Sequence, residues 1–231
     1  MDTHELYRII IDGLRRYRDD PFIGDVLRTV SSYPLPSVAH SLNKNQMASK
    51  RWLLEALATS QPGRLETVYI LGGWYGVLAD MLLSDSRFDL GHIYSVDLDP
   101  DCLPVAETLN QRHLWDGRFS AVTRDMMTLD FKQDLLPTAQ SGGESTPLRV
   151  RPDLIVNTSC EHIEDFQCWY QRVPSKTLLV LQSNDYFSCD EHVNCVAGLD
   201  DFRHQAPMRQ LGFAGALPLK RYTRFMLIGR K

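Results

Sequence analysis

Residues 157–162 read Asn-Thr-Ser-Cys-Glu-His, a packet of polar and reactive groups directly behind the apolar run Leu-Ile-Val. Three chemistries compete for it. Cys160 and His162 form a nucleophile and base on the first, because a thiolate needs a nearby cation or helix N-terminus to lower its pKa. On the second, Cys160 and His162 converge with Cys189, His192 and Cys195 of CDEHVNC on a metal, since thiolates and imidazoles suit zinc. The chain has no CxxC knuckle, and we assign no metal from sequence. The third makes the packet the polar rim of a ligand pocket, with Asn157 accepting from an amine and His162 a general base oriented by Glu161 or Glu164. A purely structural use is also open, in which Ser159 caps the next helix and Glu161 and His162 fill its first turn.

The choice depends on the elements that carry the packet. The first sixty residues read as helices. HELYRIIIDGLRRYRDD places Leu6, Ile9, Ile10 and Leu14 on one stripe. DPFIGDVLRTVSSYPLP is a shorter helix stopped by Pro34 and Pro36, and NQMASKRWLLEALATS is an amphipathic helix ending before QPG. From Thr67 strands and helices alternate: TVYILGG, GHIYSVDLDP, FSAVTRDMMTLDF, PDLIVNTS and KTLLVLQSN each hold a strand. EHIEDFQCWYQRV is the helix after the fourth of these, and PTAQSGGESTPLRVR reads as a flexible surface loop. Two strands near FAGALPLK and YTRFMLIG close the chain as an antiparallel hairpin. This pattern specifies an α/β three-layer sandwich with a mostly parallel sheet and a helical N-terminal cap.

In open α/β sheets, ligands bind beyond the carboxyl ends of the strands. Those ends carry Gly72, Gly73, Trp74, Tyr75 and Gly76; Asp97 and Asp99; Asp125 and Met126; the packet; and Gln182, Asn184 and Tyr186. The glycine turn lets backbone approach a ligand, and Asp97 is placed to accept both hydroxyls of a ribose, with Asp99 as its understudy. Asp99 before Pro100 also makes a good helix cap. Asp125 and Met126 suit an adenine, the carboxylate for the exocyclic amine and the apolar chain for the ring.

From Thr67 to Lys231 the sequence resembles the class I methyltransferases that use S-adenosyl-L-methionine (SAM), the similarity resting on the turn at 72–76, Asp97 and Asp125–Met126 in that order. The resemblance implies a seven-stranded sheet with SAM across its strand ends. Gly72 to Gly76 would lie under the methionine part, Asp97 on the ribose, and Asp125 and Met126 on the adenine. Two positions depart from the family pattern of an acid and three alternate glycines: Ile70 stands at the acid and Trp74 at the middle glycine. Asn157 occupies the start of the acceptor motif of many amine methyltransferases, but Thr158 and Ser159 replace its prolines, which argues against base or protein-glutamine methylation. The packet then faces the sulfonium, with Asn157 and Thr158 beside the cofactor and Cys160 in the pocket lining. Residues 1–62 form a cap or lid on a SAM-binding domain at 63–231, with Lys44, Asn45, Gln46 and Ser49 as candidate contacts to SAM or its acceptor.

A lid points to a small-molecule substrate. It also fits a less common branch of this superfamily, the azetidine-2-carboxylate synthases, in which SAM is its own substrate and cyclises with release of methylthioadenosine. Trp74, Tyr75, Asn157, Cys160 and Tyr186 would then hold the sulfonium and amine. A non-catalytic SAM-fold regulatory subunit is the reading from outside enzymes.

Composition bounds these options. The 231 residues are 43% hydrophobic with a formal net charge of -4, ordinary for one globular domain and unsuited to a nucleic acid backbone. No stretch has the ~20 apolar residues of a membrane span. The N-terminus lacks a signal core, and five cysteines without a CxxC pair fit reduced thiols in a cytoplasmic protein.

Overall fold

The computed structural model describes residues 2–17, 20–33, 35–60 and 63–231. Four helices come first: α1 (Thr3–Tyr17), α2 (Pro21–Ser32), α3 (Leu35–Ser41) and α4 (Lys44–Thr59). Alternation follows, with β1 (Leu65–Leu71), α5 (Val77–Ser84), β2 (Leu90–Asp97), α6 (Cys102–Leu109), α7 (Gln111–Trp115) and β3 (Phe119–Thr123). The remainder is β4 (Asp134–Ala139), β5 (Ser145–Val150), β6 (Leu154–Asn157), α8 (Phe166–Arg172), β7 (Leu178–Asn184), α9 (Leu199–Gln205), β8 (Gln210–Pro218) and β9 (Thr223–Arg230). The helix stop expected at Pro34 and the boundary after residue 62 fall at or beside residues outside those described.

Seven strands form one sheet in the order β3-β2-β1-β6-β7-β9-β8. All pairs are parallel except β7 with β9 and β8 with β9. The strands are apolar on both faces because both are covered. Val68 and Ile70 of β1, Val180 of β7 and Met226 and Ile228 of β9 pack on one side with Leu53 and Leu57 of α4 and Leu82 of α5. Tyr69, Leu71, Leu179, Leu181, Phe225 and Leu227 pack on the other with Trp169 of α8 and Phe202 of α9. α4 therefore shares a core with the sheet, and Ser49 in its second turn bonds Gln182 near the carboxyl end of β7.

Residues 137–151 are not the flexible loop expected from their composition. They build most of the antiparallel β4–β5 hairpin, turning at Gly142 and Gly143, whose φ values are 97° and 87°. Buried Leu136 and Thr138 alternate with exposed Leu135 and Pro137, and the amide of Ala139 donates to Ser120 Oγ at 2.8 Å. The Gly-Ser-Thr composition masked a short strand alternation that shows only once a partner surface is present.

α2 and α3 pack Val26, Val30 and Val38 against Val77, Val105 and Leu109 of α5 and α6. Leu6, Ile9, Ile10 and Leu14 of α1, by contrast, stay exposed. A buried ion cluster anchors α2: Arg112 bonds Asp25 at 2.6 Å and Asp80 at 2.8 Å, and both carboxylates are buried. Removing that guanidinium leaves buried carboxylates undercompensated. Arg112→Ala should destabilise the fold by about 3 kcal/mol, read as a lower urea midpoint with unchanged slope.

Candidate functional site

The order in which strands are added reverses between the parallel neighbours β1 and β6, and the sequence-selected strand ends flank that switch point. The turn after β1 is tightly folded. Gly72 and Gly76 have φ of 64° and 71°, and Trp74 holds the left-handed region at 48° despite its side chain. A Cβ on Gly72 would lie 2.8 Å from Ser159 Oγ, so the turns after β1 and β6 touch where no side chain fits between them. Trp74 stacks on Tyr75, with ring centroids 5.2 Å apart.

Asp97 locks this turn to β2. One carboxylate oxygen accepts from the Trp74 amide at 2.7 Å, the other from the Asp99 amide at 3.1 Å. Asp99 is exposed and accepts from the Asp101 amide at 2.9 Å, which folds the turn ahead of α6; the helix itself begins at an Asp101 cap, not at Asp99 as expected. Exposed Leu98 stands between them. Asp125 accepts from the Met127 amide at 2.8 Å and caps a single turn of 3-10 helix. The Asn157 side-chain amide nitrogen donates to Met126 Sδ at 3.6 Å, which joins the turn after β3 to the end of β6.

The packet divides into separate fates. Asn157 is fully buried, and its Oδ1 accepts from the Ser159 amide at 2.9 Å. Ser159 caps nothing; the segment forms a 3-10 turn at Cys160–His162, and α8 starts later because Asp165 accepts from the Cys168 amide. Cys160 is corrected from pocket lining and nucleophile to core: it is fully buried, its thiol faces the Asn157 carbonyl at 3.6 Å, and burial pushes its pKa well up. His162 is exposed, with Nδ1 on the Glu191 carbonyl at 3.0 Å, so Cys160 and His162 are no dyad. Tyr186 stacks on Tyr222 at 5.4 Å and meets the His192 ring edge-on at 5.7 Å. Of the cysteines weighed for a metal, Cys195 is turned to Asn184 Oδ1 at 3.6 Å.

A buried polar cluster lies beside the packet. Arg224 donates to the Thr158 carbonyl at 2.9 Å, Gln182 Oε1 at 3.3 Å and Glu161 Oε1 at 3.0 Å. Asn184 donates to the same Glu161 oxygen at 2.6 Å. Buried Ser49 donates to Gln182 Oε1 at 2.8 Å, while Gln46 accepts from Lys50 at 2.7 Å. Sequence reasoning missed Arg224 and Lys50. An arginine inside the apolar run of YTRFMLIG was the available signal for the first; Lys50 carried none, since a lysine beside Arg51 on a polar helix face reads as solvated. Burial, then the Arg224 charge, lowers the Lys50 pKa from 10.5 to about 7.

No family model matches the chain, and no curated protein sequence matches it. Solved structures do. The chain is similar to the N-methyltransferase NodS from Bradyrhizobium japonicum WM9, at 14% identity and a TM-score of 0.58, over 83% of this chain and 98% of that one. NodS has also been crystallised with S-adenosyl-L-homocysteine. A variant of MtNAS in complex with S-adenosylmethionine matches over 98% of this chain and 77% of its own, at 14% identity and a TM-score of 0.52. The fold is that of the class I methyltransferases.

The Lys50 environment generates a pH prediction. The unfolded chain keeps this proton up to 10.5, the folded chain only up to about 7. Stability therefore rises with pH between those values, and the lysine's cost is complete below them. Lys50→Met should stabilise the protein at pH 7 and flatten that rise, measured by urea unfolding from pH 6 to about 10.

Proposed function

We propose that this protein is a SAM-dependent transferase that methylates a small molecule by in-line displacement at the sulfonium carbon. The observation that carries this reading is the placement of Asp97 on the Trp74 amide at the β1 turn, at the switch point of a class I methyltransferase sheet. SAM would lie over that turn, with its ribose toward Asp97, its adenine between Leu98 and the Asp125–Met126 turn, and its sulfonium toward Asn157 and Thr158. Helices α1–α3 and the first turn of α4 act as the lid. The sulfonium is already activated, so positioning and exclusion of water supply most of the acceleration.

A second reading is displacement at the methionine γ-carbon, which cyclises SAM and releases methylthioadenosine. The similarity to MtNAS favours it, because that match extends across the N-terminal helices and MtNAS has been crystallised with MTA and tNA.

Calorimetry with SAM and S-adenosyl-L-homocysteine tests the cofactor assignment, and no heat of binding for either sinks it. Mass spectrometry of SAM incubated with the enzyme alone separates the two reactions, since methylthioadenosine formed above background belongs to cyclisation. Asp97→Ala should weaken SAM binding by about 10- to 100-fold, the worth of charged hydrogen bonds to ribose plus the loosened turn. Asn157→Ala should weaken it about tenfold, because the Met126 and Ser159 turns lose their common tie; unchanged affinity would remove Asn157 from the cofactor site.

A further inference from the structure

We propose that Glu161, His162 and His192 form a binding site for one divalent first-row transition-metal ion, with Oε2 of the glutamate and Nε2 of each imidazole as donors. The three residues each offer a ligand atom within 4.8 Å of the others. Among the described residues no cysteine joins this cluster, unlike the cysteine-containing set weighed from the sequence.

The arrangement around each donor favours metal binding over a chance cluster. Glu161 is 1% exposed, and its two oxygens are treated very differently. Oε1 takes Asn184 at 2.6 Å and Arg224 at 3.0 Å, whereas Oε2 is buried without a partner. A buried carboxylate oxygen with no donor is costly and calls for a cation or donor of its own. Both imidazoles are oriented to supply one. Nδ1 of His162 lies 3.0 Å from the Glu191 carbonyl and Nδ1 of His192 lies 3.2 Å from the Tyr186 carbonyl. A carbonyl only accepts, so each Nδ1 carries the proton and each Nε2 keeps its lone pair. Backbone acceptors of this kind fix the tautomer and aim of metal-ligating histidines.

The rings stand edge to face with centroids 4.7 Å apart. Two further bonds hold the ligand segments together: the Asn194 amide donates to the Glu161 carbonyl and its side chain to the Cys160 carbonyl, both at 2.9 Å. His192 is thus clamped beside the 3-10 turn by contacts that need no metal. Bonds of about 2.0 Å to nitrogen require the donors to close by roughly an ångström, which an exposed His162 on a short turn permits. Two imidazoles and one carboxylate select zinc, cobalt, iron or manganese over calcium and magnesium, and three protein donors leave coordination positions open.

The inference does not rest on the SAM reading, and its test omits SAM. Chelator-stripped full-length protein is titrated with Co2+ and followed by visible absorption. The expected result is one equivalent bound, with d–d bands and no thiolate-to-cobalt charge transfer. His162→Ala and His192→Ala should each weaken binding by at least about tenfold, with metal-free unfolding midpoints close to the parent's. Cys189→Ser combined with Cys195→Ser should leave both the spectrum and the affinity intact. Absence of stoichiometric binding overturns the proposal, as does binding that survives the double histidine variant or is lost in the double cysteine variant.

Discussion

The buried pairing of Arg224 with Glu161 is the interaction on which the cleft end of this protein depends. Both side chains lie in the interior, where an unpaired charge is far more costly than any neutral group. Arg224 is near the start of β9, and because β9 runs antiparallel it pairs in register with Asn184 at the end of β7. The reversed strand thus delivers a guanidinium to the edge where the parallel strands finish. Its bonds to Thr158, Gln182 and Glu161 tie β9, β7 and the turn after β6 into one body, and Gln182 passes the tie to Ser49 on α4. The same charge helps keep Lys50 from holding its proton.

Around that anchor, backbone groups shape the cleft as much as side chains do. Asp97 accepts from two amides, Asp125 and Asp99 from one each, and Asn157 from another. Short polar side chains at strand ends hold their own turns, which leaves a narrow surface between the β1 and β6 turns. Glu161 follows a different rule. One oxygen belongs to the structure and the other has no structural partner, so a single carboxylate serves the fold and remains available to a ligand.

Much of the architecture was legible before any coordinates. The apolar runs around Ile70, Val96, Val156 and Val180 could only be covered strands, and the turn glycines and terminal acids marked their ligand edge. Chemistry within the packet was legible less well. Asn, Ser, Cys, Glu and His in a row look equally reactive on paper, yet burial and one carbonyl each decide that Cys160 is core and His162 is a surface imidazole with a fixed tautomer. The hairpin at 134–150 was obscured because its strands are polar and short.

The sequence by itself determined the strand–helix alternation, the parallel character of most of the sheet, and which residues arrive at its carboxyl edge. Those properties follow from local periodicity and turn chemistry. Only the tertiary structure decided what those residues do there. Glu161 meets His192 across thirty positions of chain, Arg224 reaches Thr158 from the far end of the sequence, and burial together with the distant Arg224 lowers the Lys50 pKa to about 7. Burial and proton affinity are set by what surrounds a group in space, and no short stretch of sequence contains that information.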